Sequence, residues 1–390
     1  MHIYLLDDLF RRNEVIDDFE SLVWTERFQA FGDFQLVLPP SDRYLNMFRI
    51  SPYEHVQLSI VNSDRVMLAE TINLKEANNK KVLEVTGRSM EKVLEDRIAK
   101  LNLSSQTNTP IWAISGSPLN VASVLFSTIC RHPFRLGIAD HIPRLQIGDW
   151  LPRGDLPEHP HIEWEQNPDS LYSAIREVCT TYDLGFRLTR KHESTELYFG
   201  IYKGFDRRAG SNTPVIFDSR LNNFDLTSEL YSLARFKNGV YVYAGYTVSH
   251  TDLETGDVYE EYKERGGFMY ARGTTPSTRT GFNRYMMVFQ GQIEDPELPV
   301  AQIDRSLQEQ ARKELAKHEA VSLIDGVVPN TSGYIYNQDY FLGDLVQVKN
   351  DQGGVENKRV SECVITMDSN GRYIYPTLSQ ISREFEEILT

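Results

Sequence analysis

Histidines and carboxylates clustered in one short segment are the first place to look for chemistry. His159-Pro160-His161-Ile162-Glu163 sets two imidazoles at i,i+2. In an extended segment these share one face and can grip a metal ion, with His132 and His141 upstream as further donors. Against a metal site stand the lack of an HExxH pattern and the proline-rich setting, where solvated histidines are ordinary. The acidic doublets Asp7-Asp8, Asp17-Asp18 and Glu260-Glu261 are poor acid–base pairs. Neighbours in a strand point to opposite faces, whereas acid–base work needs two carboxylates converging in a cleft. The sequence has no phosphate loop, GxSxG elbow or dinucleotide fingerprint, and Gly266-Gly267 and Gly353-Gly354 read as turns. Cys130, Cys179 and Cys363 lie far apart without a CxxC pair and read as buried thiols of a protein folded in a reducing cytoplasm. These residues predict no catalytic centre, no metal and no cofactor.

The elements around these residues are mostly strands. Phe34, Leu36 and Leu38 alternate with other neighbours before Pro39-Pro40 ends the run. Val56, Leu58 and Ile60, then Arg65–Leu74, then Val82, Leu83 and Val85 continue a meander. Gly87-Arg88-Ser89 leads into a helix carrying Met90, Val93, Leu94 and Ile98 on one face, although Glu91 and Glu95 repel at i,i+4. Residues 1–98 thus form a first β unit. Residues 99–215 read as an α+β insert. Ser117-Pro118 starts one helix, 131–168 is irregular loop, and Asn167-Pro168 opens a second helix. Strands near Phe186–Leu188 and Leu197–Tyr202 complete the insert.

Residues 216–390 return to β texture. The Val240–Gly245 run suggests a strand covered on both faces, and a hairpin turns at Asp252–Asp257. A mobile loop is expected over 266–284, within an insertion spanning 246–295. A helix over 296–323 carries the stripe Val300, Ile303, Leu307, Ala311 and Leu315. Strand-like runs follow at Tyr334–Tyr336, Leu345–Val348 and Val360–Met367. β segments with one helix therefore occur at both ends of the chain.

With 390 residues, 41% hydrophobic and 11% aromatic, the chain has material for several folded domains. A net charge of −14 argues against a binder that neutralises nucleic-acid phosphates and suits a channel through which DNA slides without sticking. Met1–Asp8 lacks the basic start of a signal peptide, and no apolar stretch reaches the ~18 residues of a membrane span.

Three segments together resemble a known family. They are Asp17–Phe28 with Trp24, followed by Gly32-Asp33-Phe34; Val85–Leu94 with Gly87 and Arg88; and Asp339–Val348 with Gly343-Asp344, then Arg359-Val360-Ser361-Glu362, closed by Tyr375-Pro376-Thr377-Leu378. In this order they resemble the tail-tip hub proteins of long, flexible-tailed phages, a family similar in fold to the baseplate hub of contractile phages.

The resemblance implies a mainly β chain of two tail-tube-like barrels, each with a helix, around a smaller insert. It implies a homotrimeric ring at the distal end of the virion tail that lets DNA pass. The implied neighbours are the distal tail protein, the tape-measure protein and a fibre or spike. Trp24 and Phe34 would pack the first barrel, Gly87 would turn a strand sharply into its helix, and Gly343-Asp344 would form a tight turn before a strand. Thr390 lies about a dozen residues past Leu378, which leaves little room for the peptidase or receptor-binding extensions of some relatives. A receptor- or carbohydrate-binding tail module, and a tail-associated lytic enzyme using His159–Glu163, are the alternatives.

Overall fold

The computed structural model describes residues 2–48, 55–61, 63–77, 80–100, 111–131, 142–148, 154, 161–191, 194–252, 256–271, 274–275, 277–329, 332–349, 354–379 and 385–388. Period-two alternation builds the first unit from β1 (Ile3–Leu6), β2 (Arg12–Ile16), β3 (Ser21–Arg27), β4 (Asp33–Leu38), α1 (Asp42–Met47), β5 (Gln57–Ile60), β6 (Met67–Ala77) and β7 (Lys80–Ser89). Phe34, Leu36 and Leu38 all face the core, and Ser41 caps α1 by accepting from Tyr44 N at 3.3 Å. The helix expected up to Ile98 is a single 3-10 turn, Met90–Leu94. Glu91 turns inward to Arg65 while Glu95 pairs with Arg88 at 2.8 Å. Each carboxylate thus has an arginine of its own, which offsets the repulsion expected between them.

The insert comprises β8 (Trp112–Gly116), α2 (Pro118–Phe126), β9 (Leu145–Ile147), β10 (Ile162–Gln166), α3 (Leu171–Thr181), β11 (Gly185–Arg190) and β12 (Leu197–Tyr202). Ser117 caps α2 with Pro118 in its first turn, as the sequence pattern predicts. The second helix starts later than Asn167-Pro168, because Ser170 is the residue that accepts from Ser173 N, at 3.1 Å. Phe126 stacks on Phe199, centroids 4.0 Å apart, in a second core to which Leu6, Val66, Leu68 and Met90 of the first unit also contribute. β9 and β10 lie within the stretch expected to be irregular.

The remaining chain adds β13 (Ile216–Asp218), β14 (Asp225–Ser232), β15 (Gly239–Thr251), β16 (Val258–Ala271), β17 (Met286–Gln290), α4 (Val300–Ala316), β18 (Val321–Val327), β19 (Leu345–Lys349), β20 (Val355–Asp368), β21 (Gly371–Ser379) and β22 (Phe385–Ile388). Much of the insertion expected over 246–295 is strand, in the end of β15, in β16 and in β17. β15 and β16 form a long hairpin, from Gly239↔Tyr270 to Thr251↔Val258, so Gly266–Ala271 are strand. Ile303, Leu307, Ala311 and Leu315 lay α4 on Val240, Val242 and Met269, while Val300 stays exposed. Only one face of β15 is covered: Tyr243 is exposed where Val242 and Ala244 are buried. The helix ends at Ala316 rather than 323, because Val321–Val327 pair with β14. Tyr334–Tyr336 is not a strand; Tyr336 makes an isolated bridge to Tyr340.

The chain is mainly β, but separate closed barrels are not found among the described residues. Strands from both ends join in one 13-stranded sheet, ordered β14-β18-β21-β20-β3-β4-β7-β6-β5-β1-β2, with β19 on β20 and β13 on β19. The reason is the length of β20. Its beginning, Val355–Arg359, pairs with β19, and its end, Glu362–Met367, pairs with β3 of the first unit. Ile365 and Trp24 thereby enter one core.

The two ends share one strand order. The order β3-β4-β7-β6-β5-β1 is matched by β14-β18-β21-β20-β19-β13. The match extends to register. β6 and β7 pair Ala69↔Gly87, bulge, and resume at Thr71↔Thr86 to close on Ala77↔Lys80. β20 and β21 pair Val360↔Leu378, bulge, and resume at Glu362↔Thr377 to close on Asp368↔Gly371. A conserved place for the bulge fixes the twist of both hairpins alike. The last ladder step, β5 on β1, is antiparallel, whereas β19 on β13 is parallel.

Candidate functional site

Charged residues collect where the insert meets the two β units. Glu26 follows the apolar Leu22-Val23-Trp24 of β3, and its position two residues after Trp24 puts both on one face. Trp24 Nε1 donates to Glu26 Oε1 at 3.0 Å, and Ser63 Oγ and Tyr336 OH donate to the same carboxylate. Close by, Arg65 pairs with the fully buried Glu91, which also accepts from Ser89 Oγ and, at 2.7 Å, from Leu188 N of the insert. A cleft of about 290 Å³ opens beside them, lined by Glu26, Asp64, Arg187, Thr189, Tyr336 and Phe341. Burial, and then the Glu26 carboxylate, push the Asp64 carboxyl up to about 6. Burial likewise raises the Tyr336 hydroxyl and the Cys363 thiol well above their ordinary values.

A second cluster surrounds Gly343-Asp344. The Asp344 carboxylate accepts from Phe205 N at 2.8 Å, from Phe341 N at 3.0 Å and from Arg207 Nε. Burial raises the Asp344 carboxyl, against the pull of these donors. Arg359 bonds Asp183 of the insert and the carbonyls of Gly343 and Lys203. Gly343 has φ +88 and packs so closely that a Cβ there would lie 2.6 Å from Phe28 Cε2. Chain segments from the first unit, the insert and the second unit are thus fastened at one spot.

The other sequence-singled residues sit in the first unit. Trp24 and Phe34 face each other across β3 and β4, centroids 6.2 Å apart, in the core. Gly32 N donates to Ser89 Oγ at 2.8 Å. Arg88 holds Glu70 through two hydrogen bonds of 2.8 and 2.9 Å and lies over the Phe31 ring. Gly87 does not turn the chain. It sits inside β7, where a Cβ would lie 1.8 Å from Leu68 O and 2.9 Å from Phe34 Cε1, so close approach rather than a bend demands glycine.

The buried ion-pair roles of Arg65, Glu91, Arg207 and Arg359 were not legible in the sequence, although Glu91 and Arg359 lie within the segments that carry the resemblance. The available signal was a charge set within or beside an apolar run, as in Arg65-Val66-Met67-Leu68, which names a buried ion but not its partner. These groups are held by one another, which suits fastening rather than turnover. Of the histidine cluster, His161 Nε2 is 2.7 Å from Ser115 Oγ and 3.8 Å from Glu163 on exposed surface. His132, His141 and His159 lie outside the described residues. Among the described residues no group of three or more His, Cys, Asp or Glu could hold a metal ion. No helix among them is long and apolar enough to cross a membrane.

The family model described as siphovirus ReqiPepy6 Gp37-like protein matches residues 2–378. The chain belongs to this family. The resemblance to long-tailed phage proteins carried by the three sequence segments is borne out by that match. The fold is similar to that of a tail protein from Neisseria meningitidis MC58, with TM-score 0.54 and 14% identity over 97% of this chain and 96% of that one. It is also similar to the 43 kDa tail protein of prophage MuSo2 from Shewanella oneidensis, with TM-score 0.51 and 12% identity over 97% and 98%. At such identities the likeness concerns the fold. No curated protein sequence matches the chain.

Proposed function

We propose that this chain is a structural hub of a phage tail tip, three copies of which form a ring that joins the tail tube to the distal tip and lets DNA pass. The observation that carries this reading is the internal repeat: two units of one strand order and one bulge register, joined side by side through β3 and β20. Three such chains present six like units, which converts a six-fold tube into a three-fold tip. Each six-stranded unit then takes the place of one barrel of a tube subunit.

The fold shared with phage tail proteins, the family match and the net charge of −14 support the reading. A ring of net negative charge repels the DNA backbone, which favours passage without sticking. The buried ion pairs serve to hold the insert against both units. The ring's neighbours are the distal tail protein, the tape-measure protein and a fibre or spike, and the role is non-enzymatic. Electron microscopy of virions carrying a gold-labelled tag on this chain tests the placement. Label confined to the distal end of the tail is the expected result; label along the tube or at the head overturns it.

A further inference from the structure

The internal repeat leaves two edges open. β3 is covered by the end of β20, whereas its counterpart β14 pairs, among the described residues, with β18 alone. β20 accepts β3 along Glu362–Met367, whereas its counterpart β6 meets β5 only at Met67 and Leu68 on that side. The stretch of β6 that corresponds to Glu362–Met367 has no neighbour there among the described residues. Each open edge is what the other would cover if the contact inside the chain were repeated between chains.

Both open edges carry apolar side chains in solvent. Tyr231 is 67% exposed, Leu230 48% and Leu74 52%. Long apolar edges are an aggregation hazard unless a partner covers them. A hazard of this kind at both complementary edges of one chain indicates a partner with the same two edges, a second copy.

We infer that β14 of one copy adds antiparallel to the open half of β6 in the next, in the register in which β3 meets β20. The matching hairpins equate Thr71 with Glu362 and Leu74 with Ile365. Pairing to β4 and β18 equates Trp24 with Glu229 and Arg27 with Ser232, since Phe34 and Ile324 face the equivalent residues Gly87 and Leu378. Carrying Glu362↔Arg27 and Ile365↔Trp24 across gives Thr71↔Ser232, Ile72↔Tyr231, Asn73↔Leu230 and Leu74↔Glu229 between copies. The contact is head to tail, so it gives a ring where its rotation closes, and not a two-fold dimer. This inference rests on the ring reading above and adds the surfaces and the register.

Cysteine pairs on the full chain test it. Ile72→Cys with Tyr231→Cys, and Asn73→Cys with Leu230→Cys, are adjacent pairs, and in an antiparallel ladder one of any two adjacent pairs has the closer, non-hydrogen-bonded spacing. Cys130, Cys179 and Cys363 are buried and give little background. Mild oxidation is expected to yield a ladder of linked copies that stops at a closed ring for at least one variant. Tyr231→Asp, at an exposed site, is expected to weaken assembly at least tenfold with the melting of the free chain unchanged.

Wild-type mass by light scattering, alone and with the tail neighbour added, separates the failures. An assembled wild type whose two cysteine variants both stay unlinked overturns the edge pairing and leaves the ring standing. A wild type that remains monomeric overturns both.

Discussion

Thr71 and Glu362 hold the same place in two copies of one hairpin: each is the first paired residue after a one-residue bulge, and the two ladders close after equal lengths. Bulges locally raise twist and pin register. Two hairpins bulged at the same point bend alike, so a contact suited to one is suited to the other. Glu362 uses the position to pair with Arg27 of β3. Thr71 stands exposed.

Asp344→Ala is predicted to be among the most damaging single changes. It removes the acceptor of two backbone N–H groups and the carboxylate partner of the buried Arg207. Breaking a buried pair from one side costs about 3–5 kcal/mol, and denaturant unfolding should read a loss of that order. A loss below about 1 kcal/mol means that water replaces the carboxylate and the fastening role is wrong.

Gly343→Ala and Gly210→Ala form a matched test of packing against backbone conformation. Both glycines have positive φ, +88 and +96, but a Cβ at Gly210 meets nothing within 4 Å whereas one at Gly343 runs into Phe28. The alanine at 210 should cost about 1 kcal/mol from the left-handed backbone alone. The alanine at 343 should cost about 3 kcal/mol or more, since the Phe28 ring, and with it the Lys203 carbonyl bonded by Arg359, must give way. Equal melting shifts would remove the case for a packed junction.

Asp64 gives a pH prediction with a definite sign. Its folded value is raised to about 6 from an ordinary value of 3.8, so the folded state binds the proton more tightly than the unfolded chain. Its stabilising contribution is therefore present below about 4 and is lost as pH rises through about 6, by at most about 3 kcal/mol. Asp64→Asn stays neutral throughout. Measured by urea unfolding, the stability of the asparagine variant relative to wild type should climb between pH 4 and pH 7 and then level off. Parallel pH profiles would show that Asp64 is solvated like an ordinary carboxylate.

Much of the fold was legible because it depends on local rules. Alternation marked β4 and β5, the hairpin at Asp252–Asp257 joins β15 and β16, and Ser117-Pro118 starts α2. Less local features were not legible. That β20 serves β19 with one half and β3 with the other depends on the meeting of both chain ends, which periodicity within the strand does not encode. The end of α4 was missed because Val321–Val327 continue an apolar pattern while pairing as a strand. Gly87 shows the same limit: its type signalled a special backbone, but the cause is the approach of Leu68 and Phe34 from other strands. The buried pairs Arg65–Glu91 and Arg207–Asp344 join residues far apart in sequence, so no spacing rule finds them.

The most direct test of the central claim is single-particle electron microscopy of the assembled chain. The expected image is a ring of three chains whose six like units surround a lumen, with β14 of each chain hydrogen-bonded to β6 of the next so that the sheet runs unbroken around it. A two-fold assembly, or a ring in which β14 and β6 face solvent or other elements, would contradict it.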